Sequence, residues 1–85
     1  MLIEGVRIRW GVTRAREIHL MVSKHGGGTQ MFVPFEPTEG VRERVTEAID
    51  VLVNSDVLPE SGRAVALTLS RELFENWGYR WESAS

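Results

Sequence analysis

Apolar and polar residues alternate through the first third of the chain, a period of two that is typical of β-strands with one buried face. The alternation runs through residues 2–12, 17–24 and 29–35, and short polar or glycine-rich connections separate the three segments. Connections of hairpin length predict a three-stranded antiparallel β-meander. The apolar positions predicted to share its inner face are Val6, Ile8, Trp10, Ile18, Leu20, Val22, Met31, Val33 and Phe35.

The hydrophobic period changes to that of a helix after residue 37. Thr38 is a suitable N-cap, and apolar residues at helical spacing predict a helix that ends near Asn54. Pro59 favours the first turn of a second helix, and Gly78 is suited to follow its last turn. Residues 64–69 could alternatively form a strand, but the uninterrupted helical spacing through Trp77 favours one long helix.

These patterns predict an α+β fold over residues 1–85, in which two C-terminal helices pack on one face of the meander in the order β-β-β-α-α. Tyr79 and Trp81 alternate with polar residues, which predicts an extended tail that could form a short C-terminal strand. Trp77 is expected in the core at the helix end, and Trp81 is expected to be partly exposed. The helices are predicted to add Val45, Ile49, Leu52, Leu69, Leu73 and Phe74 to the core.

A chain of 85 residues has room for a single domain with one core. Because it contains no cysteine, a disulfide scaffold and thiolate metal sites are excluded. Glu4, Arg7 and Arg9 interrupt the apolar start, so no secretory signal is predicted, and no apolar run is long enough for a membrane span. We therefore expect a soluble cytoplasmic protein.

The alternation that assigns the buried face of the meander also assigns the opposite face, which no predicted element covers. That face combines arginine, histidine, apolar and aromatic side chains, and further basic residues lie in the two turns. The residues predicted on it are Arg7, Arg9, Glu17, His19, Met21, Gln30 and Phe32, with Arg14 and Arg16 in the first turn and Lys24 and His25 in the second.

The favoured hypothesis is a small non-enzymatic module that binds a protein, either another protein or a second copy in a homodimer. Arginine can engage carboxylates with two hydrogen bonds, and aromatic residues are common in binding hot spots. The residues proposed to contact the partner are Arg7, Arg9, His19 and Phe32 on the sheet, with Trp81 at its edge. The alternative is that this face of the sheet is exposed to solvent and has no binding function.

A second hypothesis is a nucleic-acid-binding module with a basic sheet. Its candidate residues are Arg7, Arg9, Arg14, Arg16 and Lys24. A single aromatic residue, Phe32, is available there for base stacking, which limits this hypothesis. A third hypothesis is an oligomeric enzyme with a site between subunits, since so short a chain rarely encloses a substrate pocket.

No motif in the sequence predicts a catalytic residue, a metal site, a cofactor or a small-molecule substrate. Residues 26–28 are three glycines, but a predicted strand follows them, whereas a phosphate loop leads into a helix. Glu17 and His19 could bind a metal only with further ligands. A helix-turn-helix is disfavoured because the predicted helices are joined by a connection longer than that motif uses.

The net charge of −2 conceals two oppositely charged parts of the chain. Residues 1–35 carry five basic and two acidic side chains, a formal charge of +3. Residues 36–85 carry five basic and ten acidic side chains, a formal charge of −5. The sequence therefore predicts a basic sheet backed by acidic helices, which can steer charged partners towards one side.

Overall fold

Four antiparallel strands form one sheet within residues 1–81, the part of the chain that the computed structural model describes. The strands follow one another in space as they do in the sequence, so the predicted antiparallel meander is confirmed. The predicted number of three strands is wrong. The strands are β1 (Leu2–Ile3), β2 (Val6–Val12), β3 (Glu17–Lys24) and β4 (Gly27–Pro34).

The additional strand arises because a two-residue turn divides the segment that was predicted as one strand over residues 2–12. Glu4 and Gly5 both adopt positive φ, 48° and 80°, as a type I′ hairpin requires. Ile3 therefore pairs with Val6, and the N-terminal ammonium donates a hydrogen bond of 2.9 Å to the Ile8 carbonyl. The strict alternation begins at Val6, whereas Leu2 and Ile3 are consecutive apolar residues, so the period of two does not extend across this turn.

Two helices follow the sheet: α1 (Val41–Asn54) and α2 (Arg63–Asn76), the latter preceded by a 3-10 turn (Glu60–Gly62). The preference for a helix over a strand at residues 64–69 is confirmed. Both helices begin later than predicted. Before α1, Gly40 adopts a left-handed φ of 75°. Thr38 therefore lies in a turn before the helix, and its carbonyl accepts a hydrogen bond from the Val41 N–H.

Neither helix is long and apolar enough to cross a membrane, a finding that covers residues 1–81. The tail adds no strand in that range, so the predicted C-terminal strand is wrong for residues 79–81. The remainder of that predicted strand, from Glu82 onwards, lies outside the described residues.

Both helices pack on the same face of the sheet and enclose a single cluster of buried apolar side chains. Most of the predicted core is buried as expected, whereas Trp10, Met31, Leu69 and Leu73 are only partly buried. The buried residues are Val6, Ile8, Ile18, Leu20, Val22, Val33, Phe35, Val41, Val45, Ile49, Leu52, Leu58, Ala66, Phe74 and Trp81.

The two C-terminal tryptophans exchange their predicted environments. Trp77 is 48% exposed, and Trp81 is 6% exposed. The reason is that α2 ends at Asn76 and Gly78 adopts a φ of 92°, which turns the chain back towards the core. The Trp81 ring then packs edge-on against Phe74, with their centroids 5.9 Å apart.

Candidate binding face on the sheet

The side of the sheet that faces away from the helices, here called the open face, is organised in rows across β2, β3 and β4. The register places an arginine of β2 at one end of two of these rows and an aromatic residue of β4 at the end of the third. The rows are Arg7, Ser23 and Gly28; then Arg9, Met21 and Gln30; then Gly11, His19 and Phe32.

His19 and Phe32 form a flat stacked pair on the open face. They lie directly opposite each other on β3 and β4, and their rings are 4.4 Å apart at 9° to each other. His19 Nε2 lies 2.7 Å from Gln30 Oε1, and in the tautomer protonated at that nitrogen it donates the hydrogen bond. Phe32 remains 50% exposed, so the pair is held in place while an apolar ring surface stays open to a partner.

Arg7 and Arg9 are exposed on β2, and neither guanidinium group forms a hydrogen bond or ion pair with another residue in the range 1–81. Being two positions apart on a strand, they project from the same face roughly 7 Å apart. Both guanidinium groups are therefore free to donate paired hydrogen bonds to a carboxylate or a phosphate.

A shallow hollow of about 460 Å³ lies beside the two arginines, and Ser23 and Gly28 are among the residues that line it. Strands β3 and β4 approach each other closely beside this hollow. A Cβ added to Gly28 would come within 3.1 Å of the Val22 carbonyl oxygen and 3.3 Å of Ser23 Cβ. Glycine therefore relieves a tight contact and leaves room on the open face at the same position.

The five basic residues of the nucleic-acid hypothesis are not brought together. The Arg16 guanidinium lies 5.9 Å from the Trp77 ring centroid and donates a hydrogen bond of 3.4 Å to the Tyr79 hydroxyl. Arg16 is thus engaged by the C-terminal segment, and Arg14 projects from the exposed turn beside it.

Lys24 also departs from the open face. It shares the alternation of Val22, which is buried beneath the helices, and it lines a hollow with Asp56 and Val57 on that side. Because Lys24 lies two residues after Val22 in β3, the alternation of the sequence alone would have predicted it on the helical side. Trp81 is likewise absent from the open face, because it is buried against Phe74.

Glu17 and His19 do not pair with each other. The Glu17 carboxylate accepts a hydrogen bond of 3.2 Å from the Thr13 hydroxyl, and His19 is held by Gln30. Within the described range, no group of three metal-ligating side chains comes together.

The helical side of the molecule carries acidic residues, several of which lie along the solvent-facing side of α1. A shallow hollow of about 620 Å³ lies there, with Glu43, Glu47 and Asp50 in its lining. Although larger than the hollow on the sheet, it is the exposed surface of one helix. Asp50 is engaged by Arg63, whose Nε donates a hydrogen bond of 2.6 Å, and this bond lowers the pKa of the Asp50 carboxyl.

Comparisons with protein-family models, with curated proteins and with solved structures find no match to this chain.

Proposed function

We propose that this chain is a small non-enzymatic binding module that engages a protein partner through the open face. The observation that carries the proposal is the combination of two uncommitted arginines, Arg7 and Arg9, with the rigid His19–Phe32 pair on one uncovered surface. A protein segment that offers carboxylates to the arginines and an apolar side chain to Phe32 is complementary to this surface.

The distribution of charge favours a protein over a nucleic acid. A nucleic-acid surface gains affinity from every basic residue that reaches a phosphate. Of the five basic candidates, Arg7 and Arg9 lie on a strand of the open face and Arg14 lies in the turn after β2, whereas Arg16 and Lys24 lie away from that face. The acidic side chains along α1 would also repel a polyanion that extended around the molecule.

The test is comparative capture from extract of the native cell with three forms of the chain as bait. The first is the natural chain, and the second carries Arg7→Glu and Arg9→Glu. The third carries Arg42→Glu and Arg71→Glu, which changes the net charge equally but at exposed positions on the two helices, away from the open face. All three captures are made both with and without nuclease treatment and are analysed by quantitative mass spectrometry.

We expect one protein to be retained by the natural chain and by the third form, and to fall at least about tenfold with the second, since truncating a hot-spot arginine costs 2 kcal/mol or more. Equal loss in the second and third forms would mean that net charge rather than the open face determines binding. Retention that disappears with nuclease would show a nucleic-acid partner instead.

A further inference from the structure

The outer edge of β4 presents unpaired backbone groups. The Ile8 N–H donates a hydrogen bond to the Met1 carbonyl, on the side of β2 that faces away from β3. Because the direction of backbone hydrogen bonds alternates along a strand, the backbone groups of Arg7 and Arg9 bond to β3. The register carries this alternation across the sheet, so that the N–H and C=O groups of Gly28, Gln30 and Phe32 point outwards. No element within residues 1–81 pairs with them.

Two exposed apolar side chains lie along this same edge, one on each side of the sheet. Phe32 is 50% exposed on the open face, and Val51 of α1 is also 50% exposed. Val51 shares a helical stripe with Arg44, whose Nη2 donates a hydrogen bond of 3.0 Å to the Pro34 carbonyl at the end of β4. The stripe of α1 that carries Val51 therefore lies on the β4 side of the molecule.

We propose that the β4 edge binds the β4 edge of a second copy of the chain, antiparallel and about a twofold axis at Gln30. Gln30 then pairs with its own counterpart, and Gly28 pairs with the partner's Phe32. The result is a continuous eight-stranded sheet whose two copies contribute identical groups, the isologous arrangement of most homodimers.

The edge is complementary to itself in shape and in charge. Each Phe32 ring lies beside the partner's Gly28, where no side chain fills the open face and the hollow begins. An aromatic residue across from a glycine is a recurrent stabilising pair in antiparallel sheets. The basic turn at Lys24 and His25 also approaches the partner's Glu36, which is exposed just beyond β4.

The proposed ladder has defined ends. Pro34 has no N–H, and Arg44 already occupies its carbonyl, so pairing stops after Phe32. At the other end, the His25-Gly26 turn terminates the strand. The opposite edge of the sheet is partly covered, because Met1 to Ile3 pair with β2. The assembly therefore closes as a dimer rather than extending into a fibre.

The first test is a disulfide at the twofold axis, made with Gln30→Cys in a chain that has no other cysteine. Hydrogen-bonded antiparallel partners have Cα atoms about 5.5 Å apart, which is within the range that a disulfide spans. Leu2→Cys, exposed on the opposite edge, is the matched control. Under mild oxidation we expect the Gln30→Cys chain to form a covalent dimer at least about tenfold faster than the control.

The second test is sedimentation of the natural chain and of two doubly substituted chains. Phe32→Lys with Val51→Lys places charges on both sides of the β4 edge, whereas Leu2→Lys with Thr68→Lys places them at exposed positions elsewhere. We expect a dimer for the natural chain and for the second variant. The first variant is expected to be a monomer with an unchanged circular dichroism spectrum.

A natural chain that remains monomeric up to about 1 mM overturns the proposal, as does equally fast cross-linking through Leu2→Cys. This self-association shares Phe32 with the proposed function, but it requires no other protein. Val51→Lys alone distinguishes the two, because Val51 belongs to α1 and not to the open face. It is expected to weaken the dimer without changing capture of the partner protein.

Discussion

Phe35 is the residue around which the C-terminal segment is arranged. It is fully buried at the end of β4, and three aromatic rings meet it edge-on. Their centroids lie 5.3 Å away for Phe74, 5.6 Å for Tyr79 and 6.0 Å for Trp77. Edge-to-face pairs of this kind add stability beyond the apolar area that they bury. Tyr79 and Trp81 therefore pack into the core.

We predict that Trp81→Ala destabilises the chain far more than Trp77→Ala. Removing the buried ring leaves a cavity beside Phe74 and should cost about 3 kcal/mol of unfolding free energy. Removing the half-exposed ring of Trp77 should cost about 1 kcal/mol, which is typical of a partly buried position. Urea unfolding followed by circular dichroism measures both, and equal losses would contradict the observed exchange of environments.

The side chains of Arg7 and Arg9 should contribute little to stability, because neither guanidinium group makes a hydrogen bond or ion pair within residues 1–81. We expect Arg7→Glu with Arg9→Glu to change the unfolding free energy by no more than about 0.5 kcal/mol per substitution. Thermal and urea denaturation check this. A large destabilisation would mean that the two arginines serve the fold instead of a partner.

At this scale, alternation along the strands was enough to place Arg7, Arg9, His19 and Phe32 on one face. Sequence patterns were not enough to predict the environments of Trp77 and Trp81. The direction of the chain after Gly78 depends on the left-handed φ of that glycine and on the aromatic rings against which the following residues pack. Lys24 shows the opposite case. It was predicted in the turn beside the open face, although its spacing of two residues from Val22 in β3 already indicated the helical side.

The elements are held together by apolar packing and by an ion pair that joins the helices. Asp50 of α1 and Arg63 at the start of α2 form a two-point contact, with nitrogen–oxygen distances of 2.6 and 3.4 Å. Gly62 precedes that arginine, and a Cβ there would come within 3.0 Å of Leu58 Cδ1. Because Gly62 has no side chain, Leu58 and Ile8 of the sheet can pack closely against the start of α2.

The ion pair makes a pH-dependent contribution to stability. Because Arg63 lowers the pKa of Asp50 in the folded chain, the charged carboxylate stabilises the fold above the ordinary range of aspartate. This contribution is lost as the pH falls through the lowered pKa. We expect the difference in unfolding free energy between the natural chain and Asp50→Asn to be largest near neutrality and to vanish in acid.

Urea titrations from neutral to acidic pH, at low and high salt, measure that difference. The side chains are partly exposed, so added salt should reduce the effect. Glu47→Gln, an exposed acid on the same helix, is the control. A difference that grows towards acid would contradict the assigned role of Asp50.

Hydrophobic periodicity predicted the elements well, including the helix at residues 64–69. The breaks between them were predicted less well. The Glu4-Gly5 turn and the start of α1 after Gly40 both depend on residues with positive φ, a backbone conformation that a hydrophobic period does not specify. Boundaries were therefore displaced even where the type of element was correct.

The whole molecule has two chemically different sides. The sheet presents arginines and a stacked histidine–phenylalanine pair, and α1 presents acidic side chains to solvent on the helical side. The charge difference between residues 1–35 and 36–85 could be predicted from the sequence. Of the basic residues in the first part, Arg7 and Arg9 lie in the strand rows of the open face, whereas Arg16 and Lys24 do not. An acidic partner would therefore approach the sheet and be repelled from the acidic side of α1.

The central claim is that the open face, and not the helices, contacts the partner protein. Photo-cross-linking from an unnatural amino acid tests it directly, with the probe at Met21 in the middle of the open face or at Thr68 on the exposed side of α2. In native extract we predict a cross-linked partner protein from position 21 and none from position 68. A cross-link from position 68 alone would contradict the account.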